Sequence, residues 1–429
     1  MYDRSATELL DLEGFAVLSQ TIEAGERWLL VETTAAVAGC PHCGVVATGH
    51  GRSVVQVRDL PISGKAVRLV WRRRRWRCLD ADCPTKTFTE DSPAIEGVLS
   101  TRAAAEICRQ VGQDGRSVAE LARRFGVSWH LAMDAVRRHG QPLVDDPRRL
   151  HRVRALGVDE HKMLAAGPKH HSLFCTQLVD LETSRLLDVV PHRSAASVTT
   201  WMDARSAYFR RNVTVAAIDP HAGYARAIRT SLPRATITVD PFHLVKLANA
   251  AIDDIRRRVQ REVEGHRGRR DDPLYGIRRL LTRGWERLSE RQVERVLVAM
   301  RRGDPYDEVG GALVAKEVLR AMYGAETPAE AREHLAEFYA VVARAEVPEL
   351  DRLARTVKRW EKEILSFFTT GHTNAKSEAM NLITEKLRRV AHGLRNFENY
   401  RLRLLLHSGV QWQTVPTARI RTRHPRLVA

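Results

Sequence analysis

Residues 371–406 read GHTNAKSEAMNLITEKLRRVAHGLRNFENYRLRLLL. The stretch decides the fold because it supplies a helix that a set of strands far upstream still lacks. Asn374 suits an N-cap, and from Ala375 the pattern turns helical. Met380, Ile383, Leu387 and Val390 predict one apolar stripe, with Glu378, Asn381 and Glu385 opposite and Arg388 and Arg389 near them. Small polar residues crowd the approach (Thr369, Thr370, His372, Thr373, Ser377), and Arg395, Phe397, Tyr400 and Arg401 form a basic-aromatic exit. An ordinary amphipathic helix with a solvated charged face would look much the same. The carboxylate of Glu378 gains weight only if acidic partners exist elsewhere.

Those partners lie upstream. From Val153 the chain alternates short apolar runs with helical patterns. Runs at 154–158, 172–179 and 185–190 predict a meander, 195–210 a helix, 213–218 a strand, 225–231 a helix, 235–239 a strand and 244–264 a long helix. This β-β-β-α-β-α-β-α order predicts a mixed sheet with helices on its faces. Asp159, Asp219 and Asp240 each close an apolar strand, and strand ends are where such sheets build sites. Each aspartate taken singly is equally well a turn or cap residue. Residues 265–370 read as Arg/Glu-rich amphipathic helices (290–301, 313–323, 328–345, 350–367) without a convincing strand, so they are expected to form an all-helical insertion.

Before the sheet, Cys40-Pro-His-Cys43 and Cys78-Leu-Asp-Ala-Asp-Cys83 make two close cysteine pairs that can supply four thiolates to one tetrahedral Zn²⁺; His42 is an alternative ligand. Strands at 53–57 and 66–70 around Pro61-Ile62-Ser63-Gly64 place the pairs at the ends of a small β unit. Arg72, Arg73, Arg74 and Arg75, between Trp71 and Trp76, are candidates for phosphate contact, although a strand alternates their faces. Ser117 with Glu120 forms a capping box, Gly126 marks a turn, and Ser128 caps a second helix. The pair has a helix-turn-helix outline. In it Ser128, Trp129 and His130 would face bases, and Arg137 and Arg138 phosphates. Residues 141–149, with two prolines, read as a linker.

Over 429 residues, 69 Lys+Arg against 52 Asp+Glu leave a formal charge of +17. That surplus suits a polyanionic partner, most simply nucleic acid. No apolar run approaches a membrane span, the first 30 residues lack a signal-peptide pattern, and a soluble cytosolic protein is expected. Six cysteines in such a chain point to metal or free thiols rather than disulfides. P-loop and GxGxxG motifs do not occur.

The motifs CPHCG (40–44), RCLDADCPTKTFTE (77–90), GVDEH (157–161), AIDPHAGYARAI (217–228), VDPFHLVK (239–246) and TNAKSEAMN…GLRNFENYRLRLL (373–405) resemble those of insertion-sequence DDE transposases of the ISL3 type. The resemblance implies a multidomain α+β/α/β protein. Its parts would be a zinc-ribbon-like domain (1–92), a helix-turn-helix DNA-binding domain (93–145) and an RNase H-like catalytic domain (150–264 and 371–412). An all-helical insertion (265–370) would split the last, and a basic tail (413–429) would follow. It implies Asp159, Asp219 and Glu378 as a triad for Mg²⁺ or Mn²⁺, and Zn²⁺ as a structural ion at Cys40, Cys43, Cys78 and Cys83. It also implies cleavage and strand transfer at terminal inverted repeats, with double-stranded DNA as partner. The protein would act as a homodimer or larger assembly at a prokaryotic nucleoid. Arg388, Arg389 and Arg395 join the candidate DNA contacts. Two rival classes carry the same features: a DNA-binding regulator on an inactive scaffold, and a structure-specific nuclease that cuts without joining.

Overall fold

The computed structural model describes residues 2–150, 152–167 and 171–412; the expected basic tail lies outside these described residues. The chain divides into two compact units, Met1–Arg149 with Leu387–Ala429, and Leu150–Lys386.

The first unit opens with α1 (Arg4–Leu10), β1 (Phe15–Glu23), β2 (Glu26–Thr33), β3 (Thr48–Ile62) and β4 (Lys65–Arg77), followed by the short β5 (Thr87–Thr89), β6 (Ile95–Glu96) and β7 (Leu99–Ser100). The sheet order is β1-β2-β4-β3-β7-β6, with β5 on β4. Both long hairpins turn through two left-handed residues, Ala24-Gly25 and Ser63-Gly64, the geometry that matches strand twist. Alternate residues Val57, Val67, Leu69 and Trp71 meet Phe15, Val17, Leu29 and Val31 in one core, which α1 closes with Ala6 and Leu10. The sequence analysis predicts no element in the first 35 residues, yet they furnish seven of the eleven buried residues of this core.

Then come α2 (Thr101–Gly112), α3 (Val118–Phe125) and α4 (Trp129–Val144). Ser117 Oγ accepts from Glu120 N at 3.1 Å and Ser128 Oγ from Leu131 N at 3.2 Å, while Gly126 turns the chain at φ +65°. The linker read from residue 141 is corrected: α4 runs through Pro142 to a buried Val144. A proline in the last turn forfeits only one backbone hydrogen bond, and burial of Val144 holds the turn in place. Helix α17 (Phe397–Ser408) belongs to this unit. Its buried Arg403 donates to the carbonyls of Gly115 (3.2 Å) and Arg116 (2.6 Å), and burial lowers its pKa to about 10.

The second unit holds β8 (Ala155–Leu164), β9 (Leu173–Asp180), β10 (Arg185–Pro191), α5 (Ala195–Asp203), α6 (Ala207–Asn212), β11 (Val215–Ile218), α7 (Ala222–Ser231), β12 (Thr236–Val239) and α8 (Pro241–Glu264). The strand order is β10-β9-β8-β11-β12. The first three strands are antiparallel, and β8, β11 and β12 are parallel. The single helix expected over 195–210 is two, because Ser206 caps a new one through Phe209 N (3.1 Å). Helices α9 (Pro273–Leu281), α10 (Glu290–Gly303), α11 (Glu308–Ala321), α12 (Pro328–Ala345), α13 (Pro348–Arg359), α14 (Glu361–Leu365) and α15 (Phe367–Thr370) follow, then α16 (Ala375–Val390). One buried apolar cluster runs from Val153 and Leu156 of the sheet through Ile252 and Leu319 to Ile364. The helices after α8 therefore share the sheet's core.

Candidate functional site

Strand register builds the site. Val158 of β8 pairs with Ile218 of β11, which pairs with Val239 of β12. The next residue along each strand is Asp159, Asp219 or Asp240, so three carboxylates stand abreast where the parallel pairing stops. The expectation that Asp159 closes its strand is corrected, since antiparallel pairing with β9 carries β8 on to Leu164. Asp240 also caps α8, its Oδ1 accepting from Phe242 N at 2.7 Å. That turns α8 so that His243 Nε2 lies 2.7 Å from Asp219 Oδ2 and its Nδ1 4.0 Å from Glu378 Oε1.

Helix α16 brings Glu378 in its first turn. Asn374, before it, donates its backbone N–H to Asp240 Oδ2 (2.6 Å) and its amide to Asp219 Oδ1 (3.3 Å). Asn381 donates to Asp159 Oδ2 at 2.7 Å, and Gln177 of β9 to Thr384 Oγ1 at 3.0 Å. The apolar stripe expected along α16 is corrected. Met380 and Leu387 are buried, but Ile383 and Val390 are 36% exposed, and Ser377 and Thr384 take the inward places. The inward face is half polar because it packs on carboxylates and Gln177, whose hydrogen bonds need partners. Asn381 does lie on the Glu378 side, as its place three residues later predicts; its contact with Asp159 is what the sequence reading missed. Gly157 makes the close approach possible. A Cβ there would lie 2.2 Å from Ser377 Oγ and 2.7 Å from Leu181 Cδ2.

Burial, then the neighbouring Asp219 charge, raise Asp159 to about 7. Burial raises Asp240 against the hydrogen bonds from Phe242 and Asn374 N–H, and burial with the Asp240 charge raises Glu378. At His243 burial opposes protonation, but the Asp219 hydrogen bond and charge win and the pKa rises. Among the buried side-chain atoms here, Asn374 Oδ1, Ser377 Oγ, Asn381 Oδ1 and His243 Nδ1 have no hydrogen-bond partner. Carboxylates whose charge burial disfavours, beside oxygens unpartnered among the described residues, fit a site completed by a hard cation such as Mg²⁺. The only groups of three or more ligand residues with all ligand atoms within 4.8 Å, among the described residues, are the four cysteines and Glu264, His266 and Asp272. The triad oxygens are thus spaced wider than the shell of one ion.

The cysteine cluster is tighter. Both knuckles sit at one end of the β3–β4 hairpin, where Thr48 pairs with Arg77. Cys40 Sγ lies 3.8 Å from Cys83 Sγ, and Cys43 Sγ 3.5 Å from Cys78 Sγ; sulfurs around a tetrahedral Zn²⁺ stand about 3.8 Å apart. The backbone N–H of Cys43, then that of His42, favour the Cys40 thiolate and bring its pKa to about 7. At Cys43 the Val45 N–H acts the same way, but burial and the three neighbouring sulfurs outweigh it, and the thiol rises to about 12. Zinc would relieve that competition for one negative charge. His42 is not in the group.

The candidate DNA contacts are unequal. Arg72 and Arg74 converge with Arg52 on buried Glu32, at 3.2, 3.6 and 3.0 Å. Arg73 donates to Glu90 O (3.0 Å) and lies over the Trp71 ring. Arg75 is exposed. Ser128, Trp129 and His130 are exposed at the start of α4, Trp129 edge-on to His130. Arg137 pairs with Asp134 (2.7 Å) and Arg138 with Glu96 (2.7 Å). Arg388 and Arg389 lie in the last turn of α16, and Arg395 is exposed after it.

A family model for the transposase DDE domain of ISL3 elements matches residues 156–404, more than half of the chain. A second model, the zinc-finger of transposase IS204/IS1001/IS1096/IS1165, matches residues 36–83. Over 303 residues the chain is 26% identical to the transposase for insertion sequence element IS1557 of Mycobacterium tuberculosis, from strains CDC 1551 / Oshkosh and ATCC 25618 / H37Rv alike. The alignment covers 65% of this chain and 65% of the relative, so the chain spans just under two thirds of that relative's length.

Proposed function

Because the chain belongs to the ISL3 transposase family, we propose that it is a DNA transposase. On this reading it binds the terminal inverted repeats of its insertion sequence and carries out metal-dependent cleavage and strand transfer. The observation that carries this reading is the register that sets Asp159, Asp219 and Asp240 abreast with Glu378 brought over them by α16. An RNase H-like catalytic domain accounts for the strand order, and a helix-turn-helix for α3, Gly126 and α4.

Asp159, Asp219 and Glu378 would hold two Mg²⁺ or Mn²⁺ ions. When bound, such ions activate an attacking oxygen and stabilise a leaving one. The protein's own residues set up the rest. Asn381 and Asn374 orient the carboxylates of Asp159 and Asp219 by their amide donors, and each oxygen keeps lone pairs with which to ligate. His243, hydrogen-bonded to Asp219, holds that carboxylate and can carry a proton at its unpartnered Nδ1. The four cysteines would hold Zn²⁺ as a structural ion and stiffen the hairpin end that carries Arg75. DNA ends, target DNA and a homodimer or larger assembly are the partners this activity calls for.

The test is strand transfer with Mg²⁺ beside a gel shift on the DNA flanking the gene. Asp159→Asn, Asp219→Asn and Glu378→Gln should each lose joining and keep end binding. A Glu378→Gln protein that still joins ends refutes the assignment.

A further inference from the structure

Beside the carboxylates, the second unit contains a cavity of about 930 Å³ between the start of α8, the loop after α9 and the end of α11. Its lining combines four features seldom found together. Phe242 stands at it 58% exposed, immediately before His243 in sequence and edge-on to that ring at 5.9 Å. Asn249 Oδ1 and Tyr323 Oη, both lining it, are shielded from solvent and have no hydrogen-bond partner among the described residues. Burial, then the charge of Asp240, hold the Tyr323 hydroxyl protonated, so it offers a donor beside the Asn249 acceptor. Arg283 and Arg287 complete the wall. No ion pair or side-chain hydrogen bond engages Arg283 among the described residues, and Arg287 meets only Glu286, at 3.5 Å.

The loop bearing Arg283 is fixed in place. Lys316, buried, donates its ammonium to the carbonyls of Leu281 (2.8 Å) and Arg283 (2.5 Å). Tyr323 is likewise braced, stacked on Phe368 at 6.2 Å and edge-on to Phe367 at 6.0 Å. An exposed ring, an unpaired donor and acceptor, and cationic guanidinium groups are the elements that bind one nucleotide out of a duplex. The ring stacks the base, the polar atoms meet its edge, and the arginine takes the phosphate. An exposed apolar ring next to two buried polar atoms is otherwise costly, since each unsatisfied polar group carries a desolvation penalty.

We infer that this cavity receives one unstacked deoxynucleotide of the DNA strand being processed, with Phe242 stacking its base, Asn249 and Tyr323 meeting its edge, and Arg283 contacting its phosphate. This rests on the transposase reading for the identity of the polymer, but not on the metal triad.

The test uses the full chain and two labelled probes of one sequence, a fully paired duplex and the same duplex with a short unpaired arm, compared by fluorescence anisotropy. The forked probe should bind about tenfold more tightly, the lower part of the range for one stacked base. Phe242→Ala should erase that preference and leave affinity for the paired probe unchanged. Tyr323→Phe, which keeps the packing on Phe368, should reduce it severalfold. With 5-iododeoxyuridine in the arm, ultraviolet light should crosslink the probe to Phe242 or Tyr323. Equal affinity for both probes, or a fork preference that survives Phe242→Ala, overturns the proposal. Deoxyadenosine monophosphate displacing the arm at comparable affinity would make the ligand a free nucleotide and overturns the strand assignment. Asp159→Asn protein should show the same fork preference; wild-type protein that prefers forks yet never cuts would count against the metal site alone.

Discussion

The two ligand clusters of this molecule follow opposite rules. Four sulfurs in the first unit converge within 4.8 Å with three of the cysteines buried. The carboxylates of the second unit keep wider spacing, accept hydrogen bonds from Asn374 and Asn381, and leave Glu378 partly exposed. A closed shell of soft thiolates has no position left for a substrate, which is how structural zinc is held. An open arrangement of hard oxygens would leave room for substrate and water around the ions proposed for it. The local backbone follows the same division. The sulfurs ride on turns tied by Cys40 N to Val45 O and Cys78 N to Lys86 O, whereas the oxygens ride on sheet strands and a helix anchored in a core.

The largest effect that would sharpen this contrast is zinc loss. Cys78→Ser or Cys83→Ser should forfeit folding free energy on the order of 10 kcal/mol at neutral pH. The damage should stay local, because the cysteines pack only with Phe88 while the β1–β4 core has its own apolar set. Hydrogen exchange should lose protection in the knuckles and keep it in β1, β2 and the turn end of β3–β4. Collapse of the whole sheet would show that the two cores are one.

Next comes removal of one carboxylate charge. Asp159→Asn should cut strand transfer about a thousandfold, the several kcal/mol a metal-held charge supplies. Stability should move the other way. The folded pKa of about 7 exceeds the ordinary 3.8, so without Mg²⁺ the folded state binds the proton more tightly. That stabilisation is present below about pH 4 and is lost as pH rises through about 7. In magnesium-free buffer Asp159→Asn should therefore melt higher than wild type above pH 7 and alike below pH 4. Equal melting at every pH would show that folding leaves the Asp159 pKa where the unfolded chain has it.

A smaller loss is expected at the residues that orient the carboxylates. Asn381→Ala should weaken Mg²⁺-dependent activity roughly 10- to 100-fold, seen as a higher Mg²⁺ requirement at an unchanged melting temperature. An unchanged requirement would leave Asn381 a packing residue. The smallest effect separates neighbouring arginines. Arg75→Ala should flatten the salt dependence of DNA binding by about one unit. Arg72→Ala should barely alter it, because that guanidinium is engaged with Glu32.

The sequence displayed the site more fully than the fold around it. Aspartates that end apolar runs, and cysteines in close pairs, are local patterns. The cysteines meet at one hairpin end and the aspartates follow residues paired in register, although Asp159 lies inside β8 rather than closing it. Partnerships across long separations were not legible. Glu32, 40 residues before Arg72, gives no local hint that it neutralises one face of the arginine strand. The hairpin of β1 and β2 has modest alternation, and what makes it a sheet edge is parallel pairing with β4. On α16 the apolar period found Met380 and Leu387 on the inward face but not Ser377 and Thr384. The inward face is chosen by hydrogen bonds to Asp159 and Gln177, and a hydrophobicity pattern does not register those.

Gly157 links the clash distances to inheritance. Alanine differs from glycine by one methyl group, and any glycine codon becomes an alanine codon by a single base change. The added carbon would press on Ser377 and Leu181, lifting the helix that carries Glu378 from the strand that carries Asp159. The zinc knuckles and α4 would be untouched. On the proposed function, such a variant among gene copies in a genome would still occupy DNA ends while unable to cut them, so one mutation would turn an active copy into a repressor of its siblings.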